Sequence, residues 1–197
     1  TWGDGGTWGQ PGTFLGKEAK SYFATLIVTD ATSPGTMADD ATVGTRPWTN
    51  PDNAKVSDNV YATVTTGVKQ VSHYLKATNF GFAIPTGATI SGILVEIEEK
   101  ASASGVYENS IKIVKADGTF GSTEKRTGLG AMLPLTDTYI SYGSSSDLWG
   151  EIWTPTDIND ADFGVGFSSG QVGTTSVDHI RITIYYTTPY LINENKL

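Results

Sequence analysis

The sequence NFGFAIPTGATISGILVEIEEK, residues 79–100, decides the fold class. It contains two strand-like runs separated by Pro85-Thr86-Gly87, a turn sequence. In the second run Ile93, Val95 and Ile97 alternate with residues that point to the opposite face, namely Leu94, Glu96 and Glu98. This period of two predicts a β-strand, and it recurs to the end of the chain without a convincing amphipathic helix. The chain is therefore predicted to be an all-β, antiparallel protein.

The composition excludes several classes of function. The 197 residues include no cysteine, which excludes disulfides, thiolate zinc sites and a cysteine nucleophile. The formal net charge is −8 and the lysines and arginines are scattered, which argues against neutralisation of nucleic-acid phosphates. No apolar run approaches the length of a membrane-spanning helix. With 23 glycines, the composition favours a turn-rich β fold.

The strand-like runs predict a jelly-roll-like β-sandwich of about nine strands. Ile90–Lys100 is expected to form a hairpin with Val106–Ala116, and the last strand, Ser176–Thr188, is expected to be central. One helical turn is predicted after Thr154, because a capping hydroxyl precedes Pro155 and Asp157 follows at the third helical position.

Three regions are distinguished along the chain. Residues 31–188 are predicted to form the sandwich, and residues 189–197 a C-terminal tail. Residues 1–30, which include a segment rich in Gly and Trp, are predicted to be an extended N-terminal anchor or the end of a preceding module. Trp2 and Trp8 in this segment are the candidate partner-binding residues, because an extended segment can add strand pairing and aromatic burial to a partner.

The order of several motifs, covering about residues 32–188, carries a family resemblance. The motifs are Trp48–Ala54, Asp58–Thr63, Leu75–Gly92, Asp147–Gly150, Trp153–Val165 and Val177–Ile180. This order resembles an uncharacterised β-sandwich module that recurs in virion proteins of tailed phages and in bacterial surface proteins. The resemblance implies a structural, adhesive or decoration role on an exposed surface, and it implies no catalytic residue.

No catalytic constellation accompanies the strands. The two histidines, His73 and His179, lie in alternating strands, and the neighbours Asp178 and His179 are expected to face opposite sides of theirs. Glu96 and Glu98 have a spacing compatible with a glycosidase pair, about 7 Å along a strand. Because Lys100 continues the same row, a solvated charged face is the simpler interpretation. The chain is predicted not to be an enzyme.

Two further kinds of site were considered. A first candidate set of oxygen ligands comprises Asp157, Asn159, Asp160 and Asp162. Their alternating spacing favours calcium, although the glutamate that completes an EF-hand is missing. A second acidic set without recognisable register comprises Asp39, Asp40, Asp52 and Asp58. No metal site or cofactor is assigned, and calcium stays open. Trp149, Glu151 and Trp153 would share one face if extended, which suits a carbohydrate surface; the alternative is that the indoles cap the core.

Two functions follow from these observations. The leading hypothesis is a non-enzymatic structural or decoration module of a phage virion, working as an oligomer with other virion or surface-assembly subunits. The alternative is a carbohydrate-binding or adhesion module of a longer secreted or cell-surface protein. Both place the chain outside the cell or on a virion surface, without nucleic-acid or membrane partners.

Overall fold

A computed structural model describes residues 22–126 and 131–191 of the chain. The described part contains nine β-strands, one 3₁₀ turn at Pro51–Ala54 and one short helix, α1, at Pro155–Asn159. The strands are β1 (Tyr22–Val28), β2 (Thr36–Asp40), β3 (Ala62–Thr66), β4 (Tyr74–Thr78), β5 (Thr89–Ala101), β6 (Tyr107–Val114), β7 (Thr138–Ser144), β8 (Gly164–Gly170) and β9 (Gly173–Leu191).

The strands form two antiparallel sheets packed as a β-sandwich, which confirms the predicted fold class. Sheet A has the order β1-β9-β5-β7, and β3 joins it by pairing with β9; sheet B has the order β2-β4-β8-β6. The 19 residues of β9 pair with β5 on one side, and with β3 and then β1 on the other. The prediction that the last strand is central is therefore confirmed.

The predicted hairpin between β5 and β6 is wrong. β5 pairs with β7 and β9 in sheet A, whereas β6 pairs with β8 in sheet B. Both strands carry fully buried isoleucines, among them Ile97 on β5 and Ile113 on β6. In opposite layers these side chains meet across the core, whereas in a hairpin they would lie side by side within one sheet.

The core lies between the sheets and is filled by the inward rows of alternating residues. Sheet A contributes Ile93, Val95, Ile97, Ile180, Ile182 and Ile184, all with no exposed surface. Sheet B contributes Leu75, Ile111, Ile113, Val165 and Phe167, which are equally buried. The period of two visible in the sequence is thus the period of burial.

Helix α1 begins as predicted. The Thr154 hydroxyl accepts a hydrogen bond from the Asp157 amide at 3.2 Å, and the Asp157 carboxylate accepts one from the Thr154 amide at 2.8 Å. This reciprocal pair is a capping box, and Pro155 occupies the first helical position. The turn supports Ile158, which is buried beneath it.

The N-terminal region contributes to the sandwich. β1 lies within the predicted segment 1–30, and it pairs along its whole length with β9, from Tyr22 opposite Leu191 to Val28 opposite Tyr185. Trp2 and Trp8 lie outside the described residues, so their predicted anchoring role stays a prediction. Within the described ranges, no helix is long and apolar enough to cross a membrane.

Candidate functional site

The predicted sugar-binding residues Trp149, Glu151 and Trp153 do not form an exposed platform. Trp149 has no exposed surface, and its indole N–H donates to the Ile93 carbonyl at 3.1 Å. Trp153 is 9% exposed and donates to the Leu148 carbonyl at 2.9 Å. Both indoles pack in the core, and both of their N–H groups donate to backbone carbonyls. The two tryptophans therefore cap the core, which was the alternative interpretation.

Glu151 and Trp153 nevertheless border a cleft of about 380 Å³, called here the side cleft. Its lining is completed by Lys115, Ala116, Asp117, Ile152 and Asp157. Lys115 lies 3.5 Å from the Asp117 carboxylate, and the Asp157 carboxylate is held in the capping box of α1. Lys115 and Asp117 are therefore engaged with each other, and Asp157 is engaged with Thr154 outside the cleft.

A second cleft of about 380 Å³, the end cleft, lies where β6, the end of β8 and the segment before β4 meet. Its lining comprises Val71, Tyr107, Glu108, Asn109, Arg126, Gly170 and Gln171. Two local features position it. The pairing of β6 with β8 shifts register between Glu108 and Ser110, so that Asn109 is a bulged residue. Bulges redirect side chains and are common beside binding sites.

Gly170 is the second feature that positions the end cleft. It lies opposite Tyr107 in the β6–β8 ladder. A Cβ at residue 170 would lie 2.9 Å from the Gln70 carbonyl oxygen. Because this spacing is shorter than ordinary van der Waals contact, only glycine lets the segment before β4 approach the end of β8 so closely.

The end cleft presents polar side chains that the described structure leaves available. The guanidinium of Arg126 makes no ion pair with any described residue. Tyr107 and Arg126 are half-buried and Gln171 is exposed, so all three can meet a ligand from solvent. Asn109 is partly committed, because its amide donates to the Ser168 hydroxyl at 3.2 Å.

A buried acidic cluster lies behind the end cleft. Tyr142 donates from its hydroxyl to Glu108 Oε1 at 2.8 Å, and Glu108 is only 4% exposed. Glu99 lies nearby with no exposed surface, and neither of its carboxyl oxygens has a partner of good hydrogen-bond geometry. Burial, with the adjacent Glu108 as a smaller cause, raises the pKa of Glu99 well above its usual value. Burial therefore favours the protonated, neutral form of Glu99.

Sequence reasoning missed Glu99, although a signal was present. In the alternation of β5, Glu99 continues the inward row after Ile97. A glutamate at such a position predicts either a buried polar site or the end of the core. The remaining members, Glu108 and Tyr142, come from β6 and β7 in different sheets, and their approach depends on the tertiary fold.

The outer face of β5 is not the simple solvated surface that was expected. Glu96 accepts two hydrogen bonds from Arg181 on β9, at 2.8 and 3.0 Å, and this hydrogen bonding raises the pKa of Arg181. Glu98 is half-buried, and its Oε2 atom is inaccessible to solvent and has no hydrogen-bond partner.

Carboxylates gather at one point of this outer face. Glu98, Asp137 and Asp178 each have a carboxylate oxygen within 4.8 Å of the others. Among the described residues, this is the only group of three or more side chains close enough together to hold a metal ion. None belongs to the set predicted for calcium, in which Asn159 binds the Ile84 backbone and Asp157 caps α1. Acidic groups gather without a metal in many proteins, and we assign no ion to this group. Calcium stays a prediction.

A bulge in β9 changes the predicted geometry of Asp178 and His179. Glu98 pairs with His179 and Glu99 with Val177, so Asp178 is the additional residue of the bulge. Both side chains reach the neighbourhood of Glu98, and the expectation that they face opposite sides is wrong. The carboxylate of Asp178 accepts backbone hydrogen bonds from Asp58 and Asn59, at 3.3 and 3.1 Å.

Comparisons with known proteins give little beyond this geometry. No family model matches the chain, and no curated protein matches it. A solved structure named "BiXyn10A CBM1 APO", a carbohydrate-binding module, aligns with 14% identity, 77% of this chain, 98% of that chain and a TM-score of 0.39. At this TM-score the likeness carries no argument about function.

Proposed function

We propose that this chain is a non-catalytic binding domain that takes a neutral saccharide in the end cleft. The observation that carries the proposal is the composition of the cleft wall. The wall combines one aromatic ring with carboxamide, guanidinium and carboxyl groups around a volume of about 380 Å³. Small-molecule sites are typically concave, with a few convergent polar groups.

The side chains of the end cleft suit the chemistry of sugars. A sugar ring has apolar C–H faces and a rim of hydroxyl groups, and Tyr107 offers an aromatic surface for such a face. Arg126 supplies several donors in a fixed fork, while the amides of Asn109 and Gln171 both donate and accept. One positive and one negative side chain in the wall balance each other, which favours a neutral ligand.

The buried carboxyl pair beside the cleft supports binding and not hydrolysis. A glycosidase needs two carboxyl groups that flank the bond to be cleaved. Glu99 has the raised pKa of a general acid, but it has no exposed surface and cannot contact a ligand in the cleft. We therefore propose that the domain has no glycosidase activity.

The virion or decoration role predicted from the sequence resemblance remains a prediction, together with oligomerisation and a location outside the cell. A saccharide-binding domain is compatible with a surface assembly, because binding to surface glycans is one form of adhesion. The end cleft favours the carbohydrate-binding hypothesis, at residues other than those predicted for it.

The proposal is tested by screening the protein on a glycan array and measuring the affinity of the strongest hits by calorimetry. Arg126→Met should weaken binding roughly 10- to 100-fold, since hydrogen bonds to a charged group contribute about 1.5–3 kcal/mol. Tyr107→Ala should also weaken the binding of the same saccharide. Glu151→Gln in the side cleft is the matched control and should bind as the unmodified protein does.

Two results would contradict the proposal. The absence of any saccharide hit would remove the binding function. Loss of affinity in Glu151→Gln with unchanged affinity in Arg126→Met would move the site to the side cleft.

A further inference from the structure

Ser33, on the segment between β1 and β2, is hydrogen-bonded to a histidine that lies far away in the sequence. Its Oγ atom lies 2.8 Å from Nε2 of His179 on β9, and the serine is exposed to solvent. On the other side of the ring, Nδ1 of His179 lies 2.8 Å from the Tyr139 hydroxyl on β7. The three side chains thus form a continuous array of a hydroxyl, an imidazole and a phenol.

The tautomer of His179 decides the direction of these two hydrogen bonds. Burial raises the pKa of Tyr139; of the weaker influences, the neighbouring Ser57 lowers it and the Glu98 carboxylate raises it. In the tautomer with its hydrogen on Nδ1, the His179 ring donates to the Tyr139 oxygen. Nε2 then carries no hydrogen and accepts the Ser33 hydroxyl.

The ring of His179 is held in place. It is 8% exposed, and it packs edge-on against the Tyr139 ring with centroids 6.1 Å apart. A nucleophile within hydrogen-bond reach of a base, with the base oriented by a third group, is the arrangement that activates serine in acyl transfer. Here the third group is Tyr139, whose hydroxyl lies 2.8 Å from Nδ1 of His179.

We propose that Ser33 is a nucleophile that accepts an acyl group from an activated ester, with His179 as its general base. The Ser33 oxygen attacks the ester carbonyl carbon, and its proton passes to Nε2 of His179. The bond from the carbonyl carbon to the leaving oxygen then breaks, and the leaving group takes the proton from His179. One ester is exchanged for another, so no oxidant or further reactant is required.

The proposed site is independent of the saccharide-binding proposal. Ser33 does not line the end cleft or the side cleft, and it is exposed to solvent. We expect it to react with small activated esters and to hold the acyl group at the exposed surface. The proposed modification site has Ser33 as the acyl acceptor and a small, reactive ester as the acyl donor.

The test is incubation of the full chain with p-nitrophenyl acetate, followed by release of nitrophenolate and peptide mapping by mass spectrometry. We expect one acetyl group per chain, located on Ser33, and none there in Ser33→Ala. Because general-base catalysis contributes about 10²–10⁴-fold, His179→Gln should slow acetylation of Ser33 at least tenfold. Tyr139→Phe keeps the ring and removes only the hydroxyl, and it should also slow the reaction.

The matched control is Ser104, an exposed serine in the loop between β5 and β6. Equal acetylation of Ser33 and Ser104, or an unchanged rate in Tyr139→Phe and His179→Gln variants that remain folded, would overturn the proposal. Nitrophenolate release beyond one equivalent that requires Ser33 would support the nucleophile and overturn the non-catalytic assignment. No saccharide is present, so failure of the binding proposal does not affect this result.

Discussion

Replacement of Phe163 by alanine tests the aromatic packing beneath α1. Phe163 has no exposed surface, and its ring meets Trp153 edge-on at a centroid distance of 5.3 Å and Phe82 at 6.1 Å. Phe-to-Ala substitutions in cores cost about 3–5 kcal/mol, and each aromatic pair contributes about 0.5–1.5 kcal/mol beyond its buried area. Because two pairs are lost, we expect Phe163→Ala to lower the free energy of unfolding by about 4–5 kcal/mol.

The assay is urea denaturation at equilibrium together with a thermal scan. For a domain of this size, 1 kcal/mol corresponds to about 2–4 °C, so the melting temperature should fall by roughly 8–20 °C. Ile152→Ala is the matched control: Ile152 is 94% exposed beside Trp153, and its loss should change stability by no more than about 0.5 kcal/mol. Similar midpoints for the two variants would mean that these rings do not form part of the core.

Three further predictions test individual features. Glu99→Gln should stabilise the fold, relative to the unmodified protein, increasingly as pH rises above the usual carboxyl pKa of 4.5. The reason is that the pKa of Glu99 is raised in the folded state, so that folding of the unmodified protein takes up a proton in this pH range. A difference in the free energy of unfolding that stays constant in urea titrations from about pH 4 to 8 would refute this. Gly143→Ala should lower the free energy of unfolding by more than about 1 kcal/mol. Residue 143 has a φ of 84°, and the added Cβ would lie 2.2 Å from the Ile93 carbonyl oxygen, so an unchanged melting temperature would contradict this prediction. Thr154→Ala should cost about 1 kcal/mol and Thr156→Ala much less, as measured by denaturation, because only Thr154 caps α1.

The sequence predicted those features that depend on neighbouring residues. Alternation in β5 and β9 gave the strands and their buried faces, and the Thr154–Asp157 pattern gave the helical turn. It did not predict which strands pair. The inward-facing residues of β5 and β6 can be buried either in one sheet or in two sheets that face each other. Only the packing of the whole chain distinguishes these two arrangements.

The candidate site was largely beyond sequence reasoning. Tyr107 and Arg126 meet because the segment after β6 returns along the edge of that strand, with hydrogen bonds such as that from the Lys125 amide to the Ile111 carbonyl at 3.0 Å. Ser33 and His179 are 146 residues apart, and no local pattern relates them. The tryptophans misled the carbohydrate prediction because an indole suits a sugar platform and a core equally well.

The position of β9 has a consequence for folding during synthesis. β1, β3 and β5 all hydrogen-bond to β9, and β5 otherwise pairs only with β7 among the described strands. Until β9 leaves the ribosome, β1 and β3 have no partner among the described strands, and their edges remain open to other chains. Sheet B draws only on β2, β4, β6 and β8, so its strands are available earlier. We expect nascent chains that stop short of Gly173 to be prone to aggregation, and a chaperone that shields strand edges to matter most at that stage.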